Sequence, residues 1–469
     1  MLFFDEKKPS KWLTILGIII AVPIGLFLFY FSQNEYVFAQ WGRYVALGLG
    51  LALGLAYLLV RKKSAHVFAW ILATLSLYNF PVSIGGFVYL HYWALLLAVI
   101  LILLPVFVFR RRTLTWRILT GVTLYTLVGF VLLMISRNYY FLDEKARCAG
   151  ESRKLPSFVQ NVAPQPLHPY DFGGESGSRI IGVAYGMQKD AYLFDLDRLR
   201  LIKGSRIDTG AQRITPVPDK PMLAAPAWGH WGELSRKTNQ PPRDPIYFIE
   251  AQTGRPTGLA QVPKCRNIFE VEFAADRMYA LCEVSHSFHE MSAEPPYQAL
   301  RSLTLPGMDS YDFALDRSRG KAYITDWFSP ALLEVDLAGM KVSRWKWIGW
   351  SSFGVAFGPD GYLYVAQPFS RRVRVIDTGK SEMRIVRTIQ AGYGPRDLEF
   401  DSGRQTLFIG NYFDGTVDLV RLGDGRRLLR IYVGDLVRGL WFDAPTNRLL
   451  AATACGIKMV ELSRAQVVE

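Results

Sequence analysis

Short runs of alternating apolar and polar residues recur along residues 269–462, each broken by a turn rich in Gly, Asp or Pro. They read EVEFAADRMYAL, YDFALDRSRGKAYI, GVAFGPDGYLYV, DLEFDSGRQTLFI and GLWFDAPTNRLLA. The last apolar residues before the turns are Phe273, Leu315, Phe357, Phe400 and Phe442, spaced 42, 42, 43 and 42 apart. Alternation in pieces this short predicts strands, because a helix would place apolar residues three and four apart. A fixed period in the forties, built from such strands, predicts a β-propeller. One unit shows four strand patterns in order: GVAF, YLYVAQ, RVRVID and RIVRTIQ. The third of these can be followed around Phe194, Phe248, Leu300, Val335, Ile376, Leu419 and Val460. Seven third strands predict seven blades over residues 178–469, with six left open because the first two units are irregular. Ring closure should pair N-terminal and C-terminal strands in one blade, which removes the open edges.

The N-terminal part has a different pattern. Trp12–Phe31, Tyr44–Val60, Val67–Ile84, Leu90–Phe109 and Leu114–Ile135 are apolar runs of 17 to 22 residues. Each is long enough to cross a hydrocarbon core of ~30 Å. The fold class expected is therefore a membrane α-helical bundle of about five spans (residues 1–136), a linker (137–177) and an all-β propeller (178–469). A count of four spans stays open, because Asn79 and Pro81 interrupt the third run.

Charge orients these spans. Residues 1–136 carry 11 Lys/Arg and 3 Asp/Glu, which is most of the overall excess of +13. Basic residues gather at Lys7, Lys8 and Lys11, at Arg61–Lys63 and at Arg110–Arg112, which are alternate ends of the runs. By the positive-inside rule the N-terminus is cytoplasmic and the propeller is extracytoplasmic. The expected location is a bacterial inner membrane, with the propeller periplasmic or extracellular and the bilayer and a membrane protein as partners. No acidic residue lies inside any run, which argues against an ion or proton pathway. The propeller has no concentrated basic footprint, so nucleic acid is not an expected partner.

The stretch YVAQPFSRRVRVIDTGKSEMRIVRTIQAGYGPRDLEFDSGRQTLFIGNYFDGTVDLV resembles the YVTN-type propeller repeat, also called YncE-like or lactonase-like. The LYVA and LFIGNY strands, the VIDTGK turn and the TIQAGYGPRDLEFD link carry the likeness. It covers residues 311–462 well and 178–310 poorly. It implies the fold and leaves function open, since such propellers serve as binding platforms, scaffolds and enzymes alike.

Candidate chemistry sits in the loops between second and third strands. Asp326-Trp327-Phe328-Ser329, Gln367-Pro368-Phe369-Ser370 and Asn411-Tyr412-Phe413-Asp414 stand in register. They read either as strand-end caps with packing rings or as a polar and aromatic rim that binds a small molecule or peptide. Two further loops look expanded, Trp228–Pro245 and Cys282–Pro296. The second gathers Glu283, His286, His289 and Glu290, and His230 of the first could complete a shell for zinc or another divalent metal. The bland reading is a pair of surface histidines in a polar loop, and HExxH is absent. The likeness to lactonases adds Glu272, Asp326, Asn411 and Asp414 as channel residues of an alternative metal-dependent hydrolase.

No GxSxG elbow, Walker A loop or dinucleotide fingerprint occurs. No catalytic residue is therefore assigned. Cys148, Cys265, Cys282 and Cys455 allow three pairings, and Cys265 with Cys282 could bridge adjacent blades. The function expected is an interaction, ligand-sensing or scaffold module in a larger membrane assembly. An accessory role in a membrane redox complex is a third reading.

Overall fold

The computed structural model describes residues 148–465, apart from 149, 152, 167, 176, 187, 208–209, 229–242, 308–309, 328 and 350. The five predicted spans lie outside the described residues. Among the described residues, no helix is long and apolar enough to cross a membrane.

Among the described residues, twenty-eight strands, numbered β1 to β28 in order, form seven four-stranded antiparallel sheets. These are the blades of a seven-bladed propeller. Blades one to six run β2–β5 (Pro169–Arg206), β6–β9 (Thr215–Pro263), β10–β13 (Ile268–Thr304), β14–β17 (Ser310–Trp347), β18–β21 (Val355–Gln390) and β22–β25 (Pro395–Tyr432). The seventh holds β26 (Gly439–Asp443), β27 (Arg448–Thr453) and β28 (Gly456–Glu461), and its outer place is taken by β1 (Val159–Ala163). That strand pairs with β28 (Gly456–Glu461), with Val159 opposite Val460 and Asn161 opposite Lys458. The expected closure of the ring is thus made by the N-terminal strand.

Burial differs with position in the blade, which explains the uneven sequence pattern. In β14 (Ser310–Asp316), an innermost strand, every residue is buried. In β17 (Lys341–Trp347), the outer strand of the same blade, every second residue is exposed. Strict alternation belongs to strands with one wet face, and strands covered on both faces read as continuous apolar text. The core lies between blades. Phe288 and Tyr279 of the third blade pack with Phe313, Leu333 and Val335 of the fourth. Aspartates shape the turns: Asp195, Asp316 and Asp401 each accept from the backbone three residues on, at 2.9 to 3.0 Å. Such Asx turns bend the chain without help from tertiary contacts.

Three expectations are corrected. The propeller begins inside the predicted linker, because β1 and β2 (Pro169–Gly173) lie within 137–177. Both are short, proline-flanked and without the repeat's turn, so they read as loop. Leu300 belongs to the outer strand β13 (Ala299–Thr304), not to a third strand. The third strand is β12 (Ser287–Ser292), which sits inside the supposed loop Cys282–Pro296. His and Glu on a strand buried on both faces gave no apolar signal to mark it.

Two disulfides join Cys148 to Cys455 and Cys265 to Cys282. The first ties the chain just before the ring to the turn between β27 (Arg448–Thr453) and β28.

Candidate functional site: the mouth of the channel

Seven innermost strands surround the axis, and at or just before each of them two adjacent residues stand in matching positions of the repeat. In blade order the pairs are Tyr170-Asp171, Gln212-Arg213, Phe269-Glu270, Tyr311-Asp312, Phe353-Gly354, Arg396-Asp397 and Arg438-Gly439. The second members form the inner layer. Arg213 Nη1 donates to Asp171 Oδ2 and Asp397 Oδ1, both at 3.1 Å, and Nη2 donates to Asp312 Oδ2 at 3.0 Å. Those aspartates come from blades one, six and four, so the guanidinium lies on the axis. Burial opposes the charge of Arg213, but the surrounding carboxylates overcome this and raise its pKa well above normal. The aspartates also stitch blades together: Asp312 accepts from Val355 N at 3.1 Å and Asp397 from Leu440 N at 2.7 Å. Gly354 lets the fifth and sixth blades meet here, since a Cβ would stand 2.2 Å from the Arg396 carbonyl oxygen.

Beyond Arg213 the channel opens into a cavity of about 300 Å³ bordered by Glu270, Glu272, Asp312, Arg317 and Asp397. An adjoining cavity of about 400 Å³ shares Glu270, Glu272 and Arg317. Burial pushes the carboxyl of Glu272 up to about 7, against the pull of Arg317. Burial likewise pushes Glu399 up to about 8, against a hydrogen bond from Phe442 N. Burial, with Asp312 beside it, raises Glu270 well above the usual carboxylate range. Burial thus favours the neutral form of the glutamates that border this cavity.

The first members form the outer layer, at the mouth. The Arg396 guanidinium carbon lies 5.2 Å from the Tyr412 ring, 5.3 Å from Phe353, 5.8 Å from Tyr170 and 5.9 Å from Tyr311. Rings from the first, fourth, fifth and sixth blades surround it, which puts this second guanidinium on the axis too. Arg438 lies 4.6 Å from the Tyr170 ring and bonds His168 Nδ1 at 3.0 Å. Tyr311 and Phe353 meet edge to face at 3.9 Å, and Trp327 meets Phe353 at 4.0 Å and Phe369 at 4.9 Å. Trp228 Nε1 donates to Glu283 Oε2 at 3.1 Å at the same rim.

The rim residues expected from sequence divide by chemistry. Asp326, Gln367 and Asn411 are 2 %, 1 % and 0 % exposed. Asp326 accepts from Ser329 N at 2.6 Å, and Gln367 Nε2 donates to the carbonyls of Ile348 and Gly349 at 3.0 Å. Asn411 Nδ2 donates to Thr416 Oγ1 and Asp418 Oδ2 at 3.1 Å, and Asp414 accepts from Tyr393 N at 2.9 Å. These four hold the loops in shape. The rings of Trp327, Phe369 and Tyr412 build the mouth, and Phe413 packs on Tyr412 with ring centres 5.1 Å apart. Phe328 lies outside the described residues.

Of the candidate metal ligands, His289 and Glu290, successive residues of β12, point to opposite faces of one strand. His230 lies outside the described residues. His289 Nε2 bonds Ser287 Oγ at 2.9 Å, and burial lowers its pKa to about 4. Glu290 pairs with Arg301 and, at 3.2 Å, with Arg277. His286 is drawn toward Asp326 of the next blade, though burial lowers its pKa. Among the described residues, no three His, Cys, Asp or Glu side chains converge to hold a metal.

No family model matches the chain, and no curated protein matches it in sequence. In shape, 1385 solved chains match, so the likeness speaks to a widespread fold. One is a chain of the crystal structure of a mitotic checkpoint complex, with a TM-score of 0.54 and 11 % identity. The match covers 65 % of this chain and 94 % of that one. At that identity it establishes the propeller architecture alone.

Proposed function

We propose that this chain is a membrane-anchored, extracytoplasmic propeller of the YVTN type that docks a protein partner at its channel mouth within a membrane assembly. The observation that carries the reading is the outer layer. Tyr, Trp and Arg are the side chains that dominate binding energy at protein interfaces, and here the partly exposed Tyr170, Trp327, Arg396 and Tyr412 gather over the buried rings of Tyr311 and Phe353. The inner layer closes the channel behind them with an arginine held by three aspartates. The mouth is therefore a floor on which a partner can rest. Anchoring rests on the five apolar runs and their alternating basic flanks. The two disulfides support an oxidising compartment.

Gentle purification of the full chain in nanodiscs, followed by native mass measurement, tests this. A stoichiometric partner is expected with the native chain and lost with Tyr311→Ala/Phe353→Ala. A lone monomer, or a partner kept by the folded double variant, would sink the docking role.

A second reading, a channel hydrolase, draws on Glu272 and Glu399. A carboxyl with a pKa near the working pH suits general acid–base catalysis. Ester or lactone turnover lost in Glu272→Gln would favour it over docking.

A further inference from the structure

Arg396 sets the chemistry of what the mouth accepts. Among the described residues its guanidinium has no carboxylate, carbonyl or hydroxyl partner. The ring centres of Tyr170, Tyr311, Phe353 and Tyr412 all lie within 5.9 Å of its guanidinium carbon. Arg213, one layer inward, shows the opposite arrangement, with three aspartates on one cation. The contrast is between two arginines on the same axis, one neutralised and one not. A half-buried guanidinium among rings that offer it no carboxylate keeps its planar fork available for one. That fork fits a carboxylate through two parallel N–H···O bonds.

Charge narrows the choice. Arg438, the other cation of the layer, already bonds His168. Directly inward lie Asp171, Asp312 and Asp397, which disfavour more than one added negative charge. A monoanion suits this field better than a phosphate dianion.

We propose that Arg396 is the anchor of a carboxylate-binding site, and that the docked partner inserts an acidic side chain or a chain-terminal carboxylate between the mouth rings. The proposal rests on the docking reading above and adds the chemical class that the dock selects.

The test uses the full chain in nanodiscs and three fluorescein-labelled pentapeptides, read by anisotropy. One has a central Asp and an amidated end. The second has Asn in its place and an amidated end. The third has the same Asn and a free terminal carboxylate. At least one acid-bearing peptide should bind tenfold or more tightly than the Asn amide, and which one does so separates side-chain from terminal recognition. Arg396→Gln should erase the preference and Arg396→Lys should keep part of it, with melting curves showing that both variants fold. Equal binding of all three peptides, no binding by any, or an unchanged preference in folded Arg396→Gln overturns the proposal and leaves Arg396 a packing cation only. Partner retention separates the two readings. If Arg396→Gln keeps the native partner and Tyr311→Ala/Phe353→Ala loses it, docking stands and the carboxylate does not. If neither loses it, docking itself has failed.

Discussion

Lys458 Nζ lies 2.8 Å from Glu151 Oε1, with the two side chains 0 % and 1 % exposed. The ammonium also donates to the Cys455 carbonyl at 2.9 Å, and the other carboxylate oxygen accepts from Asp435 N at 2.8 Å. This pair fixes the chain entering the propeller to the blade that closes it. Lys458→Met strands a buried carboxylate, which typically costs about 3–5 kcal/mol. Thermal unfolding of the full chain should show that loss, and Glu151→Gln added to it should recover a large part. If the double variant melts no higher than the single, the two side chains do not act as a pair.

Arg213→Met removes the cation from a ring of aspartates. Burial already pushes the Asp171 carboxyl up to about 7 against the pull of Arg213, and losing that cation raises it further. Stability is then retained at low pH, where Asp171 is protonated, and lost as pH rises through the raised value. The variant's melting deficit against the native chain should be larger at pH 8 than at pH 5. A deficit that is equal at both would mean that Arg213 fills space and does not balance charge.

Glu399 is pushed up by burial to about 8 in the folded chain, from ~4.3 unfolded. The folded state holds the extra proton between those values, so this group's contribution is fully present below about 4.3 and declines as pH rises toward 8. Glu399→Gln keeps a neutral side chain at every pH. It should match the native chain near pH 4.5 and melt a few degrees higher at pH 8.5. Parallel melting curves for the two across that range would contradict the raised pKa.

The two disulfides differ in the chain they close, with sequence separations of 307 and 17. In the chain-entropy account, the longer loop confers about 2.5 kcal/mol more stability. Cys148→Ser should therefore lower the melting point more than Cys265→Ser under non-reducing conditions. The reverse order would mean that the short bridge constrains the folded blades more than the unfolded chain.

The repeat was legible because the innermost strands of blades three to seven carry an apolar residue just before a tight turn, as at Leu315 and Phe400. Hydrophobic spacing alone therefore gave the blade class and the blade period. It failed where strands lack that turn, as in β1 and β2, and where polar residues fill a buried strand, as His289 and Glu290 do in β12. The rim was half legible. Trp327, Phe369 and Tyr412 were found because they share a loop register. Arg213, Arg396 and the aspartates of the axis were missed, although they stand in two adjacent columns of the same repeat. There, unlike residues from seven blades become neighbours only once the ring closes. A column in which Asp, Glu, Arg and Gly interrupt apolar text was the available signal.

The covalent bond between Cys148 and Cys455 lies upstream of β1, the strand that completes the ring. A mechanical load applied through residues before 148 reaches the seventh blade through sulfur before it reaches the backbone ladder of β1 and β28. The closing strand, which would otherwise share the load only with the Glu151–Lys458 pair, is bypassed. In reducing conditions the same pull would peel β1 from the ring edge. Oxidation thus sets how much tension the propeller bears at its N-terminal attachment before it opens.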